Sequence, residues 1–219
     1  MEAPPDDDAF DGSPAWRVVR HLTDGTPVTI RPITSDDRDD LRRAFLETSA
    51  TTRYLRFLGI VSELTEAMLT YLTEVDQQNH VALVATITSP DLKTERGVGI
   101  ARLIRATDDP HVAEAAITVT DAVQRQGVGT ALAIELARAA RHLGVLVIRA
   151  EVFEGNDAMR RILEAAGARQ VESRTGSGTL SYDVELAPMH ATPATIIDVL
   201  RGAATTMAMS LRKLMPPQE

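Results

Sequence analysis

The chain has 219 residues, 44% of them hydrophobic and 25% charged, which suits one well-buried globular domain with extensions and excludes a disordered or fibrous bulk. Its formal net charge of −8 is uneven: residues 1–13 carry five acids and no base, so the remainder stands at −3 (−8 less −5), without the basic surplus that nucleic-acid binding needs. Cysteine is absent, which removes disulfides, thiolate metal sites and a cysteine acyl-enzyme.

Residues 1–13 form an acidic, proline-containing leader that reads as disordered, with neither the basic n-region nor the apolar h-region of a secretion signal. No later stretch reaches about 18 consecutive apolar residues, so no membrane span is expected and a cytoplasmic protein is the natural reading. The Asp24-Gly25 pair then separates Trp16-Arg17-Val18-Val19 from Val28-Thr29-Ile30 as a hairpin turn does. Ser35, followed by Asp36 and Asp37, reads as the N-cap of a helix whose apolar face is Leu41, Ala44 and Phe45. A short second helix is predicted from about Thr65 to Leu72.

Three β-branched and aliphatic runs follow, Val81 to Ile87, Val98 to Ile104 and Ala113 to Val119, with short connections that predict an antiparallel meander. Leu132, Leu136, Ala139, Ala140 and Leu143 recur at helical spacing as far as Gly144, and a strand from Val145 to Phe153 completes a β-α-β unit that requires a parallel pairing. Asn156 reads as the cap of a further helix with Met159, Ile162, Leu163 and Ala166 on its buried stripe and Gly167 at its end. A last hairpin runs from Gln170 to Arg174 and from Leu180 to Leu186. The order predicts an α/β domain over residues 14–187, with a mixed, mostly antiparallel sheet and helices on both faces. Residues 188–219 add an amphipathic helix with Ile196, Ile197, Leu200, Ala204, Met207, Leu211 and Leu214 on one stripe, which would pack on its own domain, join two copies as a homodimer, or flap over the site.

The chemistry concentrates between Ala113 and Thr130. Gly127 and Gly129, set between a strand and a helix, let the backbone approach a ligand closely and leave amide N–H groups at a helix N-terminus, which makes a phosphate site. A dinucleotide fingerprint would need glycine where Leu132 stands, and a P-loop would need a Gly-Lys-Ser/Thr that never occurs. The remaining pattern, Gln124-x-x-Gly127-x-Gly129, resembles the pyrophosphate-binding motif of the GNAT superfamily of N-acetyltransferases, commonly written Gln/Arg-x-x-Gly-x-Gly/Ala. Asn156, 27 residues past Gly129, and Gly167 are similar to the family's strand-Asn-helix-Gly block. Thr52-Arg53-Tyr54-Leu55-Arg56-Phe57 resembles the Ser/Thr-x-Tyr-x-Arg-Phe segment of the bacterial Pat-type protein lysine acetyltransferases, and Asn156-x-x-Met159 their fourth-helix start.

The resemblance implies a GNAT fold and acetyl-CoA as acyl donor. It implies that the donor is held by Ile117, Thr118 and Val119, by Gln124, Arg125, Gln126, Gly127, Val128, Gly129 and Thr130, and by Asn156. In that group a strand glutamate ten residues before the Gln/Arg acts as general base, and here that position is Glu114. A backbone N–H near Val119 would stabilise the oxyanion. The family's usual tyrosine acid falls on Leu163, leaving Tyr54, Tyr182 or departure of the thiolate to solvent. Glu151 and Glu154 read as surface residues, with a water or the substrate amine as the alternative partner. The implied acceptor is an amine, foremost a protein lysine. The rivals are a small-molecule amine on the same fold and a non-catalytic acyl-CoA sensor. No two histidines stand at i, i+4, so no metal is expected. Ser177, between two glycines with no helix following, reads as a hairpin tip.

Overall fold

The computed structural model describes residues 10–49, 62–88, 94–155, 160, 163–164, 167–172 and 178–186. The expected helix from Asn156, the Thr52 to Phe57 segment, the hairpin tip at Ser177 and the C-terminal helix lie wholly or largely outside these residues. The hairpin around Asp24-Gly25 forms as β1 (Val18–His21) and β2 (Pro27–Pro32), with Val18 opposite Ile30. A short 3₁₀ turn (Ser35–Asp37) leads into α1 (Arg38–Glu47). The expected cap at Ser35 moves back one residue: Thr34 takes that place, its N–H donating to Asp37 Oδ2 at 2.8 Å, because Asp37 stands three residues ahead and closes a capping box. Helix α2 (Glu66–Thr73) is capped by Thr65 Oγ1, which accepts from Met68 N–H at 3.2 Å.

Strands β3 (His80–Thr88), β4 (Glu95–Arg105) and β5 (Val112–Val119) form the meander, α3 (Val128–His142) crosses back, and β6 (Val147–Phe153) lies parallel to β5. The last hairpin, β7 (Arg169–Val171) and β8 (Thr179–Glu185), completes an eight-stranded sheet of order β1-β2-β3-β4-β5-β6-β8-β7. Every other neighbouring pair among the described strands is antiparallel.

Side-chain alternation divides the sheet into two faces. Leu83, Ala101, Leu103, Ala115 and Ile117 pack beneath α3 through Leu132, Leu136 and Ala140 in one continuous core. Helices α1 and α2 cover the other face with a smaller cluster of Phe45, Leu64, Met68, Leu69 and Leu72. The leader expected to run to residue 13 enters the core sooner: Phe10 is buried and meets Trp16 edge-on, ring centroids 5.1 Å apart, because a large aromatic ring gains more from burial than an acidic leader gains from solvation.

Candidate active site

The turn after β5 is held by its carbonyls and side chains. Gln126 O accepts from the Thr23 N–H at 3.2 Å and from the Thr23 hydroxyl at 3.3 Å, which ties the turn to the first hairpin. Gln124 Nε2 donates to Val119 O at 3.2 Å and to Asp121 Oδ1 at 2.8 Å. Arg125 and Gly127 take φ values of +63° and +100°, an alternation that curls successive amides into a concave nest. Gly127 is the N-cap of α3, and the first i to i−4 bond runs from Ala131 N–H to Gly127 O at 2.9 Å, so the amides of Gly127, Val128 and Gly129 precede the helical ladder. Helices α1 and α2 open with acids, Asp39 and Asp40 in one and Glu66 in the other, whereas the first turn of α3 has none. Its positive dipole end is therefore left for an anion from outside the helix. A Cβ on Gly129 would meet only Val119 Cγ2, at 3.6 Å, so the space above that residue is not taken by packing.

From this turn a wedge opens between β5 and β6. The two strands pair at Val112 with Val147, Ala113 with Ile148 and Glu114 with Arg149, and no further. Beyond that vertex β5 stays with β4 as far as Gly99 opposite Val119, and β6 stays with β8 as far as Phe153 opposite Thr179. Thr120 N–H donates to Val98 O at 2.9 Å, so by the two-residue alternation of an antiparallel ladder the N–H groups of Ala115, Ile117 and Val119 point away from β4, toward the wedge. From Glu114 to Val119 the open edge runs about 17 Å at about 3.4 Å per residue. The Ile117 side chain is buried in the core below α3, so that residue offers the wedge its backbone.

Glu114 stands at the vertex, on the face shared with Arg102 and Thr118. Its parallel partner Arg149 is clamped by Asp183, Nε to Oδ1 at 2.7 Å and Nη2 to Oδ2 at 2.8 Å. The Asp183 bond raises the Arg149 pKa against the opposing pull of burial, and the charges of Asp183, Glu114 and Glu151 add to it. Glu151, read as a surface residue from the sequence, is 6% exposed and accepts a short hydrogen bond from the Ser181 hydroxyl. Pairing of β6 with β8 places it inside the sheet. Glu154, in the turn that follows, is exposed. Arg102 is buried against the Leu72 carbonyl and His80 Nε2, and burial lowers its pKa to about 9. The same burial, with the Arg102 charge, lowers His80 to about 4. Tyr182 alternates onto the opposite face, where its hydroxyl donates to Glu164 at 3.4 Å; Asn156 lies outside the described residues. Among the described residues no cluster of His, Asp and Glu could hold a metal, and no helix is long and apolar enough to cross a membrane.

Sequence reasoning alone could not find Arg149, Asp183 or the buried state of Glu151, since these depend on which strand lies beside β6.

The sequence matches the family model described as acetyltransferase (GNAT) domain over residues 28–169. It is 32% identical over 176 residues to the acetyltransferase Pat of Mycolicibacterium smegmatis, covering 80% of this chain but 51% of that protein. It is 33% identical over 149 residues to the acetyltransferase PA5475 of Pseudomonas aeruginosa, covering 68% of this chain and 78% of that one. The structure is similar to the GNAT domain of S. lividans PAT, with a TM-score of 0.70 at 30% identity over 80% of this chain and 99% of that one. The chain thus spans about half the length of the Mycolicibacterium relative. It belongs to the GNAT family of acetyltransferases, which use acetyl-CoA.

Proposed function

We propose that the chain transfers an acetyl group from acetyl-CoA to an amine, foremost the side chain of a protein lysine, by direct attack in a ternary complex with Glu114 as general base. The observation that carries this reading is the position of Glu114 at the closed end of a wedge whose open end is the amide nest at Gly127 to Gly129. The residues present fit the donor. Gln124 to Gly129 and Thr130 would hold the pyrophosphate, the backbone edges at Ile117 and Val119 the pantetheine arm, and the acid-free first turn of α3 suits a dianion. When bound, acetyl-CoA supplies the electrophilic thioester carbonyl.

An amine attacks that carbonyl only as the free base, and deprotonating a lysine of pKa about 10.4 at pH 7 costs about 4.6 kcal/mol, so a positioned acceptor is needed. Glu114 takes that proton. An N–H on the open edge of β5, near Val119, meets the oxyanion as it develops. The two relatives named Pat support a lysine. Without cysteine, sequential kinetics follow.

Glu114→Gln is expected to retain acetyl-CoA binding and to lower kcat by about 10² on a lysine-bearing protein, the usual worth of a positioned base. Wild-type turnover by that variant across pH 6 to 9 would refute the assignment. Faster acetylation of small amines than of any protein would move the acceptor to that class, and binding without turnover on either would leave a sensor.

A further inference from the structure

On the face that carries Glu114, α1 and α2 do not fill the space above the sheet. An apolar hollow remains, with Leu41, Ala44, Phe45, Val84, Ile100 and Thr118 in its lining. The polar groups in its wall are engaged. Asp37 is bound by Arg31 at 2.8 and 2.9 Å, Asp40 by Arg43 at 3.0 Å and by Gly97 N–H at 2.8 Å, and Arg102 by Leu72 O and His80. One group is not. The Thr118 hydroxyl is buried without a hydrogen-bond partner, the one such hydroxyl among the described residues. A buried hydroxyl left unpaired is unfavourable, so a ligand atom that satisfies it gains the bond without displacing another.

We propose that the hollow is an acyl pocket, in which the Thr118 hydroxyl donates to the thioester carbonyl and a linear, uncharged acyl chain longer than acetyl lies between α1 and β4. The proposal rests on the acetyl-CoA reading above. Two observations choose this occupant over the aliphatic stem of an acceptor lysine. Thr118 lies between Ile117 and Val119, whose amides face the wedge, so a thioester drawn along that edge arrives beside the hollow. The wall also presents the buried Arg102 cation, while its carboxylates are already paired, so a lysine ammonium would be repelled and find no counter-charge. An acyl tail carries no charge and asks only for apolar contact. An acetyl methyl reaches the mouth of such a space, and added methylenes fill it.

Calorimetric titration of the full chain with free CoA, acetyl-CoA and butyryl-CoA tests this. In the wild type, affinity should rise about fourfold per added methylene, or about 15-fold from acetyl to butyryl. Thr118→Val, which keeps the shape and removes an unpaired hydroxyl, should leave free CoA binding within twofold and weaken acetyl-CoA about tenfold. Ala44→Leu, which fills the hollow from α1, should weaken butyryl-CoA at least tenfold more than acetyl-CoA. Butyryl-CoA binding no tighter than acetyl-CoA, or Thr118→Val weakening free CoA and acetyl-CoA equally, overturns the pocket while leaving the cofactor reading intact. Failure of free CoA to bind the wild type brings both down.

Discussion

The two faces of β5 are built for different ends. Under α3, Ala113, Ala115 and Ile117 are buried against leucines of the helix, and a Cβ on the neighbouring Gly99 would come within 3.0 Å of Leu132 Cδ1 and 3.2 Å of Thr118 O. That face is filled, and the glycine lets α3 sit close to the sheet. On the other face stand Glu114 and Thr118, with the buried Arg102 and the half-buried His80 beside them and the hollow above. Here space and buried polar groups persist, each with a cost in stability. The contrast teaches that one strand can be seated firmly by one side while the other side keeps unfilled space.

The sharpest break in that contrast comes from the filled face. Leu132→Ala should destabilise the fold by about 2–5 kcal/mol, measured by urea denaturation, because the vacated volume lies between helix and sheet and cannot collapse. The loss should be the same at pH 7 and pH 5.

The open face should respond to acid instead. His80 is held near pKa 4, below its unfolded value of 6.5, so between those values the unfolded chain binds more protons and stability falls as pH drops. At pH 5 this amounts to on the order of 2 kcal/mol relative to pH 7. His80→Gln should lose less on the same change, measured by denaturation at both pH values. Asp37 behaves in the usual carboxylate sense: burial raises its pKa, bonds from Arg31 and Thr34 outweigh that, and its contribution is lost at lower pH. Wild type and variant share that term, so their difference isolates His80.

The smallest effects concern the glycine turn between the two faces. Gly127→Ala at φ +100° should cost about 1–2 kcal/mol and weaken CoA binding, whereas Gly129→Ala, whose new methyl meets only Val119 Cγ2 at 3.6 Å, should change stability by less than about 0.5 kcal/mol. Thermal unfolding with and without CoA measures both.

Much of this was legible along the chain. Three β-branched and aliphatic runs with short connections place β3, β4 and β5 in an antiparallel meander, and the helical spacing from Leu132 to Leu143 with the strand after it demands the parallel return of β6. Of the two glycines in the turn, Gly127 takes the left-handed φ of +100° that only glycine adopts freely, at the N-cap of α3. The state of Glu151 was not legible, because a lone acid near a strand end looks the same whether the next strand covers it or not. The insertion of β8 between β6 and β7 covers it, and it brings Asp183 to Arg149.

The residues by themselves determined the order of the described strands and helices and the position of the glycine turn between β5 and α3, since period and turn preference are properties of neighbours in the chain. Only the tertiary structure decided that β5 and β6 part after Glu114, and that a hollow and an unpaired hydroxyl lie on the same face as Glu114. Register between strands far apart in sequence is set by how whole faces bury together, and no local pattern carries that information.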